Sequence, residues 1–205
     1  MEIILGLVVL VFSAILHEVA HGYVADRLGD PTARLMGRLT LNPLKHIDPY
    51  LSVILPALLI LSGSPIIFGG AKPIPVDPFN LKDGRKDMAL VSLAGPGTNI
   101  ALAIIAAVIL RAFPFLTAGF IGLLLVTVVN YNILLAIFNL IPIPPLDGSK
   151  IFSLVLPEKE ARMYMSLESV GMFILFFLLL FPVGGFSLSR LIFSLFTLAH
   201  NLLGI

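Results

Sequence analysis

The 205-residue chain contains no cysteine. Disulfides, iron–sulfur clusters and cysteine-ligated zinc are thereby excluded, so any bound metal must be held by histidines and carboxylates. Charge is scarce as well: Asp, Glu, Lys and Arg make up 12% of the residues and nearly cancel, leaving a formal net charge of +1. The 13 Lys and Arg are scattered rather than striped, so the electrostatic footprint of a nucleic-acid partner is missing. What fills the chain is apolar side chain. Hydrophobic residues reach 58% and the mean hydropathy is +1.04, more than a soluble domain of this length can bury, so the chain needs lipid as a solvent.

Residues 3–16, IILGLVVLVFSAIL, open the sequence with an apolar run that mimics a secretory signal. Glu2 stands where such a signal carries basic residues, and the run continues through HEVAHGYVA to Asp26 without a small-x-small cleavage site. It is read as a retained span, because a helix from Glu2 to Asp26 extends roughly 36 Å. Four further segments, about 88–112, 117–141, 166–182 and 187–203, are rich enough in Leu, Ile, Val, Phe and Ala to cross. Pro114, the PIPPLDG run and PVGG at 182–185 supply the breaks between them. The apolar stretch 51–61 is too short for an ordinary span and contains Pro56, so it is read as re-entrant or interfacial. Residues 64–80 hold Pro and Gly too densely for a helix and favour extended or turn backbone.

The expectation is an all-α polytopic membrane protein of five to six transmembrane or re-entrant segments, with a short extended element in the 64–80 loop. It forms a single integral membrane domain, 1–205, with a catalytic core of about 1–150 and two additional spans at about 166–203. If the first span runs out-to-in and 51–61 does not cross, the loops 26–50, 64–87 and 143–165 share one face. Those loops carry Arg27, Arg34, Arg38, Lys45, Lys72, Lys82, Arg85, Lys86, Lys150, Lys159 and Arg162, which is 11 of the 13 basic residues. The positive-inside rule then makes that face cytoplasmic, most simply in a cell membrane.

HEVAH at 17–21 carries the chemistry. Positions i and i+4 share a helical face, so His17 and His21 can offer ring nitrogens to one ion, with Glu18 beside them as a base for the attacking water. Three ionisable groups in one turn of an apolar span are costly, which argues for a working site rather than for helix-joining hydrogen bonds. His21 lies five residues before Asp26, roughly 7–8 Å from the helix end, so the site is inside the membrane but shallow. A catalytic zinc takes three protein ligands and leaves one position open. His46 lies in a polar loop and His200 near the end of the last span. The best third ligand is therefore Asp147 in FNLIPIPPLDGSK, directly after the 117–141 span and on the same face as HEVAH. The plain alternative for Asp147 is a turn residue before Gly148.

HEVAH in the first span, AGPGTN at 94–99 and NLIPIPPLDG at 139–148 together resemble the site-2 protease family of intramembrane zinc metalloproteases, over residues 13 to 150 or so. The resemblance implies one zinc per chain held by His17, His21 and Asp147, with Glu18 as catalytic base, in a minimal form with room for neither a PDZ nor a nucleotide-sensing domain. It also implies a transmembrane protein as substrate, cut in or near its membrane helix. Asn139 falls in the family's NxxPxxxLDG pattern, where its amide could stabilise an oxyanion or simply join helices. Asn132 shares that helical face. Asn99, with Gly95 and Gly97, could bring its span close to the site or serve ordinary close packing. The chain reads PVD where the family commonly has PVN, so Asp77 cannot inherit an amide donor role. GGAKPIPVDP could pair with an unwound substrate strand or form a plain interfacial loop, and His46 and Asp48 are read as pairing within their own loop. A metal transporter, another membrane zincin or a non-catalytic scaffold are the rival classes. The oligomeric state has no signal in the sequence.

Overall fold

The computed structural model describes residues 2–48 and 72–205, together with Ile54, Leu58 and Leu61. Three helices in it are long and apolar enough to cross a membrane: α1 (Glu2–Leu28), α3 (Arg85–Ala112) and α4 (Gly119–Asn139). Between α1 and α3 lie the short α2 (Thr32–Leu35) and single 3-10 turns at Pro43–Lys45 and Pro78–Asn80. After α4 come α5 (Asp147–Phe152), α6 (Glu158–Met165), α7 (Glu168–Leu180) and α8 (Leu188–Leu203).

The spacing of small and polar residues explains the packing of the three long helices. On α1, Val9, Ser13, His17, His21 and Ala25 repeat every fourth position and are all buried, while Leu7, Val8, Val11 and Phe12 face outward. On α3 the buried stripe is Ser92, Gly95, Asn99, Ala103, Ala106 and Leu110, nearly all small, which lets backbones approach without the help of a hydrophobic effect. The two stripes meet antiparallel: Ala25 shares a cluster with Val91 and Leu81, while His17, two turns earlier, meets Asn99. α4 closes the trio through Val129 and Ile133 against Ala103, Ala106 and Ala107.

Two tight turns set the paths of the connections. α1 stops at Gly29, whose φ of 116° only glycine adopts freely, and the Asp30 N–H returns to the Ala25 carbonyl. Past α4 the chain folds back so closely that a Cβ on Gly148 would lie 2.2 Å from the Leu140 carbonyl oxygen. Arg85 Nη2 then donates to the carbonyls of Ser153 and Leu156, tying the start of α3 to the end of α5.

The all-α polytopic expectation holds, and the predicted spans 88–112 and 117–141 are α3 and α4. The C-terminal pair falls close to the expected 166–182 and 187–203, but neither helix is long enough to cross alone. α7 has 13 residues and α8 has 16, roughly 20 and 24 Å, against about 30 Å of hydrocarbon. α6 and α7 together are long enough but bend by 70° at their junction. Length thus supports three crossings, or four with the bent pair taken as one, and five to six are not reached among the described residues. α7 packs along residues 138–146, and α8 runs from there to the far end of α3, where Arg111 Nη1 donates to the Leu203 carbonyl. The 51–61 stretch lies outside the described residues apart from Ile54, Leu58 and Leu61. Of the expected extended element, residues 64–71 lie outside the described residues, 72–77 carry no regular structure, and Pro78–Asn80 form a 3-10 turn.

Candidate metal centre

Where α1 and α3 meet the turn that follows α4, the structure brings His17, His21 and Asp147 together. One ligand-capable atom of each lies within 4.8 Å of the others. The two rings, at i and i+4 on α1, are edge-on with centroids 4.6 Å apart. His17 Nδ1 is 2.6 Å from Asn99 Oδ1, and His21 Nδ1 is 2.6 Å from the Val91 carbonyl oxygen. Both partners are acceptors, so each Nδ1 carries the ring hydrogen and each neutral ring turns a bare Nε2 inward. Those two Nε2 atoms stand 3.0 Å apart, and Asp147 Oδ2 is 3.1 Å from each.

Three lone pairs thus converge with no hydrogen to separate them, which is unfavourable unless a cation sits among them. The ligands of a tetrahedral zinc, at about 2.0–2.1 Å, stand about 3.3–3.4 Å from one another, so the triangle needs to open by only ~0.3 Å. The third vertex is a carboxylate oxygen, the hard anionic donor that completes a two-histidine zinc site. Lys150 Nζ lies 4.0 Å from its other oxygen. The donor set and its spacing fit zinc.

Gly95 makes the approach of α3 feasible. A Cβ there would lie 2.4 Å from His21 Nε2 and 2.5 Å from His17 Nε2. Its neighbour Gly97 meets nothing within 4 Å. Of the two glycines in AGPGTN, one is a site requirement. Pro96 has no N–H to return to the Ser92 carbonyl, and the buried Ser92 hydroxyl has no partner in the chain either. Ser92 lines the same cavity as His17, His21 and Asp147.

Glu18 lines the same cavity, of about 440 Å³, and its Oε2 accepts the Ile74 N–H at 2.7 Å. That N–H is held in place from behind. Arg38 Nη2 donates to the carbonyls of Lys72 and Pro73 at 2.9 and 3.3 Å, and the Lys72 N–H donates to the His46 carbonyl. Asp30, fully buried, accepts the Asp77 N–H at 2.8 Å and the Asn80 amide at 2.9 Å, so the segment is pinned at both ends. Burial would raise the Asp30 carboxyl, but these bonds and those from Thr32 hold it below its ordinary value. Asp77 accepts from the Phe79 N–H and caps the adjoining 3-10 turn, consistent with its lack of an amide.

Asn139 reaches the cavity wall, but its amide donates to the Leu135 carbonyl at 3.0 Å. Asn132, on the same helical face, does not line the cavity; it is fully buried between Asn99 and Ser13. His46 Nε2 meets the Thr40 carbonyl and His200 stacks on Phe196, both away from the site. Sequence reasoning passed over Ser13, Ser92, Lys150 and the Ile74 N–H. Ser13 alone carried a signal, being one turn before His17 on the histidine face.

Peptidase family M50 matches residues 5–118 and 114–182 of the chain. YwhC of Bacillus subtilis (strain 168) is 40% identical over 189 residues, covering 88% of this chain and 82% of YwhC. Rip2 of Mycolicibacterium smegmatis is 34% identical over 177 residues, covering 83% of this chain and 64% of Rip2. Both bear the name "Putative zinc metalloprotease". No solved structure matches. A chain of apolar membrane-length helices, matched over most of its length by this family, belongs to peptidase family M50, the site-2 protease family of membrane metalloproteases.

Proposed function

We propose that the chain is an intramembrane zinc endopeptidase that hydrolyses peptide bonds within or near transmembrane segments of membrane-protein substrates. The observation that carries this reading is the convergence of two bare imidazole nitrogens and a carboxylate oxygen inside a bundle of apolar helices, with a second carboxylate, Glu18, on the same cavity wall. His17, His21 and Asp147 hold one zinc. When bound, it supplies Lewis acidity, polarising the scissile carbonyl and bringing the pKa of water toward about 7. Glu18 takes the proton from the attacking water and returns it to the leaving amine. The Ile74 N–H fixes one oxygen of Glu18, leaving Oε1 to do this work. Asn139 has a second amide hydrogen with which to meet the developing oxyanion, a contribution of roughly 2.7–4 kcal/mol in comparable sites.

The site faces the ends of α1 and α4 and the start of α3, where 11 of the 13 basic residues gather in the connections, so that face is cytoplasmic and the bilayer a cell membrane. A metal transporter is disfavoured because a transport path needs ligands at several depths, and among the described residues one metal-capable cluster occurs. The test measures zinc content and cleavage of a transmembrane test peptide in the same preparations. Glu18→Gln should keep zinc and lose cleavage, and His21→Ala should lose both. Cleavage at the wild-type rate by Glu18→Gln would end the assignment of the base.

A further inference from the structure

An asparagine amide between two polar neighbours can serve them in either sense, oxygen one way and nitrogen the other. For Asn99 the choice matters. With Oδ1 toward His17, as here, the ring proton stays on Nδ1 and Nε2 is free to bind; turned over, the amide N–H would claim Nδ1 and drive the proton to Nε2. The deciding group lies two links away. Asn99 Nδ2 donates to Asn132 Oδ1 at 2.8 Å, and Asn132 Nδ2 donates to the Val128 carbonyl at 2.8 Å and to Ser13 Oγ at 2.9 Å. Ser13 can give or accept, but a backbone carbonyl can only accept, so the Val128 oxygen dictates which end of Asn132 faces it. That in turn dictates Asn99, and Asn99 dictates the ring. His21 needs no such chain, since its Nδ1 meets the Val91 carbonyl directly.

We infer that Asn132 is a positioning residue which, through Asn99, holds His17 in its metal-binding tautomer. The inference rests on the proposed zinc site, and extends it to a residue that touches neither the ion nor the cavity. Both amides and Ser13 are buried, so no water can substitute for a lost link without entering the helix packing. Outer-shell partners of this kind change metal affinity by about 10–100-fold when removed.

The experiment compares the full-length wild type with Asn132→Leu, Asn132→Asp and Ser13→Ala in detergent. Zinc affinity is measured by chelator competition. Hydrogen occupancy of His17 Nδ1 is read by nitrogen NMR of histidine-labelled, metal-free protein at mildly alkaline pH, with His21 as internal reference. Asn132→Leu should bind zinc about 10–100-fold more weakly and show His17 Nδ1 partly without hydrogen while His21 is unchanged. Asn132→Asp keeps an oxygen that accepts from Asn99 in either ionisation state, so it should retain both readouts even if Asn132→Leu does not fold. Ser13→Ala should leave Nδ1 occupied. An Asn132→Leu protein with wild-type affinity and full Nδ1 occupancy overturns the inference, as does a wild type whose His17 carries its hydrogen on Nε2. Failure of the wild type to bind zinc would remove the metal site but leave the Nδ1 readout to decide the relay.

Discussion

Gly95→Ala is the most discriminating single substitution in this chain. The added carbon would lie 2.4 and 2.5 Å from the two Nε2 atoms and 2.6 Å from His17 Cε1, about 1 Å inside ordinary van der Waals contact with all three. The rings cannot swing away cheaply, because each is tethered through Nδ1 to a group on α3 itself, the helix that carries the intruding methyl. Relief requires breaking one of these bonds, at about 1–3 kcal/mol for a buried group, or parting α1 from α3. Either way the ligand triangle is spread by about 1 Å, a misplacement that typically costs on the order of 100-fold in function. Gly97→Ala is the matched control: two residues along the same motif, exposed, with nothing within 4 Å of its added carbon. It should leave zinc binding unchanged and gain up to about 0.5–1 kcal/mol of helix stability. Zinc affinity by chelator competition, with thermal stability recorded alongside, separates the pair. Equal affinity in both variants, or equal loss in both, would refute the close approach of Gly95 to the histidines.

The segment that braces Glu18 and the turn that presents Asp147 are open to the same kind of test. Arg38→Ala releases the Lys72 and Pro73 carbonyls, so kcat should fall by about 10–100-fold while zinc content, measured in the same samples, stays at the wild-type level. In Gly171→Ala a Cβ would lie 1.7 Å from the Pro144 carbonyl oxygen, pushing α7 off the turn that presents Asp147. The cost should be about 1–3 kcal/mol or more, read as a drop in Tm of roughly 2–4 °C per kcal/mol. Asp30 has a folded pKa below its unfolded one, so its anchoring of Asp77 and Asn80 is complete above the ordinary carboxylate range of about 4 and fades as pH falls through the lower, folded value. Limited proteolysis near residues 72–80 should accelerate in that acidic window, and Asp30→Asn should show the faster nicking already at neutral pH.

The parts of the site that depend on local geometry were legible in the sequence. HEVAH places His17, Glu18 and His21 through helix periodicity alone, and Asp147 stood out as the best third ligand by its position just past a recognisable span, with a turn residue as the alternative. Asn99 and Asn132 stood out as polar residues within spans, but what they and Ser13 do was not legible. Their roles depend on the antiparallel register of α1 on α3 and the rotation of α4 against both, which are settled by the fit of small-residue stripes rather than by any short pattern. The place of Glu18 beside the histidines was legible in HEVAH, but its clamp on Ile74 was not, because that contact joins residues 56 apart through a backbone N–H, which every residue but proline possesses. The two C-terminal helices fall close to their expected bounds, and what was missed is the bend before α7. PVGG marks the break before α8, while the 70° bend at Ser166–Leu167 contains neither proline nor glycine to announce it.

X-ray absorption at the zinc edge, with zinc content determined on the same samples, decides the matter when wild type and Asp147→Ala are purified after exposure to the same zinc concentration. The account predicts one zinc per chain with two imidazole nitrogens and a carboxylate oxygen at about 2.0–2.2 Å, and a loss of both the carboxylate and most of the bound metal in the variant. An unchanged coordination shell and full zinc content in Asp147→Ala would contradict it.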